Sequence, residues 1–327
     1  MPTEKRKNVL SVRSLKTPFP REVSPMLATL TDKAFDGDNW IFEIKYDGYR
    51  IISLIKNKKV KLTSRKQQDY SDRYIHVTKE LEKKIKKDVV LDGEVVIDDE
   101  TGVSNFQLLQ NYTRTREGQV VYYVFDILWL DGYSLEQMPL IDRKELLRKI
   151  LPKSSNFVKY SDHVECEGKK LFKLAVKQGL EGLIAKKKTS FYYEGARSND
   201  WLKIKTEKRQ EVVICGYTEP RASRKFFGAL ILAVYEKGKL TYVGHTGTGF
   251  DYATLKDTYN LLTKFRQKES PFEDVPKTNM PVTWVKPELV CEIKFSNWTT
   301  DGVMRHPVFM GIREDKKAKE VTREEKR

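Results

Sequence analysis

The chain has 327 residues, 39% of them apolar and 33% charged, and it contains no apolar run near the roughly 20 residues that a membrane span requires. Three scattered cysteines and four dispersed histidines match neither a disulfide framework nor a zinc site, so we expect a reducing, cytoplasmic location without a secretory signal. The net charge of +15 and the pI near 9.4 favour a polyanionic partner, with nucleic acid ahead of a membrane surface.

The chain begins with a proline-punctuated arm, TPFPREVSP, and continues into a predicted strand, WIFEIKYDGYR. Two interpretations of Lys45 in this strand remain open: it lies with Glu43 on the solvated edge of a half-buried strand, or it is a nucleophile at the mouth of a cleft. A lysine attacks only as a neutral amine, and its ordinary pKa is about 10.4, so a nucleophile needs burial or nearby cations. A two-residue period separates an apolar face from a face that carries Ile41, Glu43, Lys45 and Asp47.

The next segment, KNKKVKLTSRK, holds six cations and no anion between Lys56 and Lys66. It is either a solvated hairpin or part of a surface that binds a polyanion. The excess of cations along the whole chain favours the second interpretation without deciding it.

Up to Lys205, short β-type runs alternate with helical stretches, which indicates an α+β domain with antiparallel sheets. Past Thr206, about five short strands, glycine-rich turns and one helix predict an OB-fold β-barrel. We therefore expect two domains, residues 1–208 and 209–327, with a charged and frayed C-terminal tail.

Several strands carry polar groups at defined steps, and each alone is more often a structural strand with one wet side. Together they supply what nucleotidyl transfer to a lysine needs: an amine, two carboxylates for a divalent metal, an aromatic ring to stack a base, and cations for phosphates. The predicted faces pair Asp92 with Glu94, Phe125 with Tyr123 and Ile127, Glu181 with Leu183 and Ala185, and Lys203 with Lys205.

The ordered segments KYDGYR, LDGE, YVFD, EGLIAK and WLKIK resemble the motif series of the covalent nucleotidyltransferases, which include ATP-dependent DNA ligases, RNA ligases and capping enzymes. RHPVFMGIREDK resembles the last motif of DNA ligases, at the end of their OB domain. GARSNDWLKIK and GHTGTGF resemble in particular the ligase domain of bacterial ligase D and its archaeal counterparts, which serve non-homologous end joining. The resemblance runs from Ser24 to about Val321.

The resemblance implies that Lys45 takes AMP from ATP as a lysyl phosphoramidate. It implies further that Glu43 reads the adenine amino group and that Phe125 stacks on the ring. Arg50 and Arg65 are expected to contact ribose, phosphate or the nick.

The same resemblance assigns Glu94 and Glu181 to ribose and to a divalent metal, Mg²⁺ or Mn²⁺. It assigns Lys203 and Lys205 to the α-phosphate.

In the last motif, Arg313, Asp315 and Lys316 are expected to orient the leaving pyrophosphate. Because they lie on the second domain, we expect it to close over the first and swing away again, about a hinge between Lys205 and Val212.

The resulting hypothesis is a monomeric, nucleoid-associated, ATP-dependent DNA ligase that acts on nicked or broken duplex DNA. The length suggests a compact ligase that relies on a Ku-like end-binding protein and on a separate polymerase or nuclease. RNA ligase and capping-type guanylyltransferase remain as alternatives, as does a basic OB-containing binding module with an inactive site.

Overall fold

The computed structural model describes residues 14–31, 33–98, 104, 106–221 and 223–324, without the side chains of 107, 111, 113 and 114. The first part of the predicted N-terminal arm, up to residue 13, lies outside these residues. The chain divides into two compact units between Thr206 and Glu207, two residues before the predicted domain boundary.

The first unit combines strands and helices in the order expected for an α+β domain. Its described strands are β1 (Leu15–Lys16), β2 (Leu27–Leu30), β3 (Gly37–Ile44), β4 (Tyr49–Lys56), β5 (Lys59–Ser64), β6 (Val89–Asp98), β7 (Gln119–Leu130), β8 (Tyr133–Ser134), β9 (Val158–Tyr160), β10 (His163–Cys166), β11 (Gly182–Lys187) and β12 (Arg197–Lys205). Its described helices are α1 (Ile75–Lys84), α2 (Phe106–Thr115), α3 (Leu140–Ile150) and α4 (Gly168–Lys177).

These strands form two sheets. Sheet I has seven strands in the order β1-β8-β7-β6-β4-β5, with β9 paired to β7, and sheet II has five in the order β10-β3-β11-β12-β2. All pairings are antiparallel except β7 with β9 and β12 with β2. The predicted α+β class with antiparallel sheets is therefore confirmed.

One buried cluster joins the two sheets. It contains Ile52, Val90 and Phe125 from sheet I together with Ile41 and Trp201 from sheet II. We call the sides of the sheets that carry these residues the inner sides. On the outer side, sheet I packs against α1, α2 and α3, and sheet II packs against α4.

Among its described residues, the second unit has a six-stranded antiparallel sheet, a two-stranded sheet and one α-helix. Its described elements are β13 (Arg209–Thr218), β14 (Leu230–Glu236), β15 (Lys239–Thr246), α5 (Tyr252–Thr263), β16 (Val282–Trp284), β17 (Val290–Lys294), β18 (Asn297–Trp298), β19 (Met304–Arg305), β20 (Val308–Ile312) and a 3₁₀ helix (Ala318–Glu320). Helix α5 begins after Asp251, whose carboxylate accepts a hydrogen bond from the Thr254 backbone N–H at 2.7 Å.

The strands of the six-stranded sheet run in the order β15-β14-β13-β17-β20, with β16 paired to β13, and β18 pairs with β19 in the two-stranded sheet. The arrangement is consistent with an OB-fold. Within the described residues no strand pairing joins β15 to β20, so strand pairing does not close this six-stranded sheet into a complete barrel. A backbone hydrogen bond from the Phe309 N–H to the Thr248 carbonyl at 3.0 Å connects β20 to the segment that follows β15.

Residues 322–324 of the C-terminal tail contact the second unit, so the prediction that the tail frays is wrong for them, and residues 325–327 lie outside the described residues. Thr322 bridges to Tyr235, and the Arg323 guanidinium pairs with Glu236 at 2.8 Å. None of the described helices is long and apolar enough to cross a membrane.

Candidate nucleotide site

Strand register brings four of the predicted site residues to the inner side of sheet II. Strand β11 lies between β3 and β12, and Glu43 of β3 and Lys203 of β12 pair with the same residue of β11. Lys205 of β12 lies opposite Gly182 of β11. The Lys45 backbone N–H donates to the Gly182 carbonyl at 2.9 Å. Directly opposed residues project from the same face of a sheet, so Lys45 and these three side chains share one surface.

Lys45 follows the last residue of β3 and keeps 21% of its side chain exposed. Its ammonium forms an ion pair with the carboxylate of Glu181, which is 3% exposed and immediately precedes β11. The interpretation of Lys45 and Glu43 as a solvated strand edge is wrong, because β3 lies between β10 and β11 in the interior of the sheet.

Glu43 is only 2% exposed and accepts from two buried lysines. Lys144 of α3 pairs with one carboxylate oxygen, and Lys186 of β11 pairs with the other at 2.7 Å. Burial alone would raise the pKa of Glu43, but the two ammonium groups outweigh it and hold that pKa below its ordinary value. Burial also lowers the pKa of Lys186 to about 8, against the opposing charge of Glu43.

Phe125 lies in a β-bulge. Asp92 is opposite Asp126 and Gly93 is opposite Val124, which leaves Phe125 as the extra residue of β7. Its ring therefore packs in the cluster between the sheets, whereas Ile127 packs on the outer side of sheet I. The prediction that Phe125 and Ile127 share a face is wrong for this reason.

Two cations cover the ring of Phe125. The Arg50 guanidinium lies 4.5 Å from the ring centroid, and the Lys186 ammonium lies 4.2 Å from it. Lys186 is also 4.3 Å from the centroid of the Trp201 ring. The aromatic surface predicted to stack on a base is thus in contact with two positive charges and is 7% exposed.

Arg50 is held by a buried carboxylate. Its Nε and Nη2 atoms donate to the two oxygens of Asp92 at 2.5 and 2.6 Å, and the Tyr192 hydroxyl donates to Asp92 at 2.7 Å. Burial would lower the pKa of Arg50, but the charge of Asp92 more than offsets it, so the guanidinium stays protonated. This bidentate pair fixes the guanidinium plane across Phe125.

The two predicted metal ligands come from different sheets. Glu94 lies opposite Arg50 on the inner side of sheet I, and Glu181 lies beside Lys45 on sheet II. Among the described residues, no three His, Cys, Asp or Glu side chains gather into a metal site. Arg65 immediately follows β5. The end of β5 that precedes it pairs with the part of β4 next to Arg50.

The last predicted motif lies in the second unit, where its residues form ion pairs with one another and with neighbouring strands. The Arg313 guanidinium donates to both oxygens of Asp315 at 2.9 Å and pairs with Glu292 at 3.4 Å. Lys316 pairs with Glu211 at 2.8 Å. Burial opposes the charge of Arg313, and its carboxylate neighbours nonetheless raise its pKa well above the ordinary value.

Sequence reasoning missed Lys186, Lys144 and the role of Asp92 as the partner of Arg50. The alternation of β11 contains a signal for Lys186, since Gly182, Ile184 and Lys186 fall on one face of that strand. Lys144 offers no such signal, because a lysine in a charged helix usually faces solvent.

Comparisons with known proteins agree along both units. The model of the ATP-dependent DNA ligase domain matches residues 25–205, and that of the ATP-dependent DNA ligase C-terminal region matches residues 223–316.

The relatives that match this chain are longer than it is. The multifunctional non-homologous end joining protein LigD of Pseudomonas aeruginosa is 38% identical over 316 residues, which are 94% of this chain and 37% of that protein. LigD of Mycolicibacterium smegmatis is 36% identical over 323 residues, 97% of this chain and 42% of that protein. The chain thus spans about two fifths of the length of these relatives.

A solved structure of mycobacterial DNA ligase D complexed with ATP and MES is 35% identical and has a TM-score of 0.70, covering 92% of this chain and 98% of that one. The two family matches and this relative show that the chain belongs to the ATP-dependent DNA ligases.

Proposed function

We propose that this chain seals 5′-phosphate/3′-hydroxyl nicks or breaks in duplex DNA through a lysyl-AMP intermediate, in the repair of broken DNA by end joining. The observation that carries the proposal is the position of Lys45: its amine meets a buried carboxylate on the one sheet face that also carries Lys203 and Lys205. LigD relatives that are named for non-homologous end joining support the repair context.

In the first step the Lys45 amine attacks the α-phosphorus of ATP. A phosphorus–nitrogen bond forms, the bond to the β-phosphate oxygen breaks, and pyrophosphate leaves. The ammonium must lose a proton before it attacks, and Glu181 is the carboxylate in contact with it. The charges of Lys203 and Lys205 offset the negative charge that develops on the α-phosphate.

Adenine is proposed to stack on Phe125 and to donate its amino group to Glu43. Because Arg50 and Lys186 cover the Phe125 ring, stacking requires at least one of these cations to move aside. The Glu43 carboxylate keeps additional lone pairs beyond those used by Lys144 and Lys186, so it can accept from a further donor.

A divalent cation, Mg²⁺ or Mn²⁺, is proposed to bind at Glu94 and Glu181. Two carboxylates fit Mg²⁺, which is usually held by one or two carboxylates together with substrate phosphates. When bound, it would neutralise phosphate charge.

In the later steps AMP passes to a DNA 5′-phosphate, and a 3′-hydroxyl then displaces AMP. Arg50 and Arg65 are proposed to contact the nucleotide or the nick, and Arg313, Asp315 and Lys316 to act on the leaving pyrophosphate of the first step. We propose further that a Ku-like end-binding protein and a polymerase or nuclease act with the ligase, and relatives named as multifunctional non-homologous end joining proteins support this context.

The test of this proposal is incubation with α-labelled ATP and Mg²⁺ or Mn²⁺, followed by addition of nicked duplex DNA. Label should appear on Lys45 in peptide mass spectrometry and then move to the DNA 5′-phosphate. Lys45→Ala should abolish labelling. Lys87→Ala is the matched control, since Lys87 is 56% exposed and pairs only at the surface with Asp131.

GTP in place of ATP, and nicked RNA in place of DNA, separate the capping and RNA-ligase alternatives in the same assay. Labelling of Lys45→Ala at the wild-type level, or preferential use of GTP, would contradict the proposal.

A further inference from the structure

The sequence does not decide whether the basic segment between Lys56 and Lys66 binds a polyanion. In the structure this segment belongs to a β-hairpin at the edge of sheet I. Strands β4 and β5 are joined by Asn57 and Lys58, whose φ angles are 51° and 63°. Two central residues with positive φ indicate a type I′ turn, which matches the twist of the strands and fixes their register.

This register places three lysines on one side of the hairpin. Lys56 is opposite Lys59, and Leu54 is opposite Lys61. Leu54 packs in the cluster between the sheets, and the Lys56 ammonium lies 5.3 Å from the ring centroid of Phe19, which packs on the same cluster. Lys56, Lys59 and Lys61 therefore project from the inner side of sheet I, and all three are exposed.

The row of lysines leads toward the proposed nucleotide site. Arg50 and Lys56 project from the same side of β4, because six residues separate them in an alternating strand. Arg65 follows β5 at the end beside Arg50. From Lys59 to Arg65 a strand rises about 20 Å, which corresponds to about six base-pair steps of duplex DNA.

The hairpin keeps these charges although they repel one another. Like charges directly opposite in a sheet, such as Lys56 and Lys59, destabilise it. Lysines do protect exposed edge strands from pairing with other chains, but a mixed Lys–Glu row would protect β5 without the repulsion. The nearby carboxylate of Asp88 accepts from the Asn57 backbone N–H at 2.8 Å, at the turn rather than along the row.

We propose that Lys56, Lys59 and Lys61 bind the phosphate backbone of one duplex arm and hold it in line with the nick. The inference rests on the proposed function, since it assumes that duplex DNA is the substrate. Phosphate contacts of this kind position a duplex without reading its sequence.

The test compares wild type with the triple variant Lys56→Gln/Lys59→Gln/Lys61→Gln. Binding to nicked duplex is measured by fluorescence anisotropy at several salt concentrations. We expect the slope of log K against log salt to fall by about three and the affinity at low salt to drop on the order of tenfold. Self-adenylation should be unchanged, because none of the three lysines belongs to the proposed nucleotide site.

Arm length makes the test specific. Each arm of the nicked duplex is shortened in turn to four base pairs. Wild type should bind less tightly when the arm on one particular side of the nick is shortened. The triple variant should bind duplexes with a long or a short arm on that side equally well.

The matched control is Lys170→Gln/Lys173→Gln/Lys177→Gln, which removes three exposed charges from α4 on the outer side of sheet II. Equal salt slopes for this control and the hairpin variant, or a loss that does not depend on arm length, would overturn the inference. Failure of the proposed function appears separately, as a wild type that is not labelled by ATP, while the anisotropy comparison still reports on the hairpin.

Discussion

Two adjacent residues of α3 place buried positive charges between the sheets of the first unit. Arg143 and Lys144 are 0% and 1% exposed, and each pairs with a carboxylate of a different sheet. Arg143 pairs with Asp126 of sheet I, and Lys144 pairs with Glu43 of sheet II. Two adjacent helix residues thus tie together the sheets whose inner sides carry the proposed site.

Replacing Arg143 with methionine should lower the free energy of unfolding by about 3–5 kcal/mol, because it leaves the Asp126 carboxylate buried without its cation. The wild-type guanidinium donates to both Asp126 oxygens at 2.8 Å. Urea unfolding followed by circular dichroism measures the change.

The control is Arg148→Met on the same helix. The Arg148 guanidinium lies 3.3 Å from the Asp162 carboxylate, and both side chains are well exposed. It should change stability by about 1 kcal/mol at most. Comparable losses for the two variants would show that burial of the Arg143 pair is not what stabilises this region.

At the scale of elements, two local irregularities set the geometry of the site. The bulge in β7 leaves Phe125 on the inner side of sheet I and turns Ile127 to the outer side. The Asp-Gly step after Lys45 lets the chain pass close to β6, where a Cβ on Gly48 would overlap the Val95 carbonyl oxygen. The close approach that glycine permits here is to the protein backbone.

Gly48→Ala should therefore destabilise the first unit by about 1–3 kcal/mol and slow self-adenylation, because the loop that follows Lys45 must shift away from β6. Thermal unfolding and the labelling assay measure the two effects. Gly37→Ala is the control, since its nearest neighbour is the partly exposed side chain of Trp40 rather than backbone. Wild-type labelling by Gly48→Ala would contradict the role of this contact.

At the scale of the whole molecule, the connection between the units is short. The Thr206 hydroxyl donates to the Leu180 carbonyl at 2.6 Å within the first unit, whereas Glu207 pairs with Lys294 in the second. Residues 209–213 already pair with β17. We therefore narrow the proposed hinge from residues 205–212 to the backbone φ and ψ angles of Thr206 and Glu207.

If the last motif acts on pyrophosphate, Lys316→Gln should slow self-adenylation at least tenfold and leave the sealing of pre-adenylated nicks intact, because that step releases no pyrophosphate. Lys316 suits the test, since its ion pair with Glu211 is partly exposed and the loss of this pair should not unfold the unit. Single-turnover assays of the two steps measure the effect. A variant that seals slowly and labels normally would contradict the closure model.

Much of the site was predictable because strand alternation is a local property. The shared face of Lys203 and Lys205, and that of Glu43 and Lys45, follow from a two-residue period that register then confirmed. The face of Ile127 relative to Phe125 was not predictable, because one extra residue in β7 reverses the alternation beyond it.

The sequence by itself determined the α+β class, the family and the identity of most proposed site residues, because these depend on local pattern and on the order of motifs along the chain. Only the tertiary structure decided which charges meet. Lys144 and Lys186 reach Glu43 from positions 101 and 143 residues away, and Arg50 reaches Asp92 across a strand pair. Electrostatic energy and desolvation depend on distance in space, which sequence separation does not give.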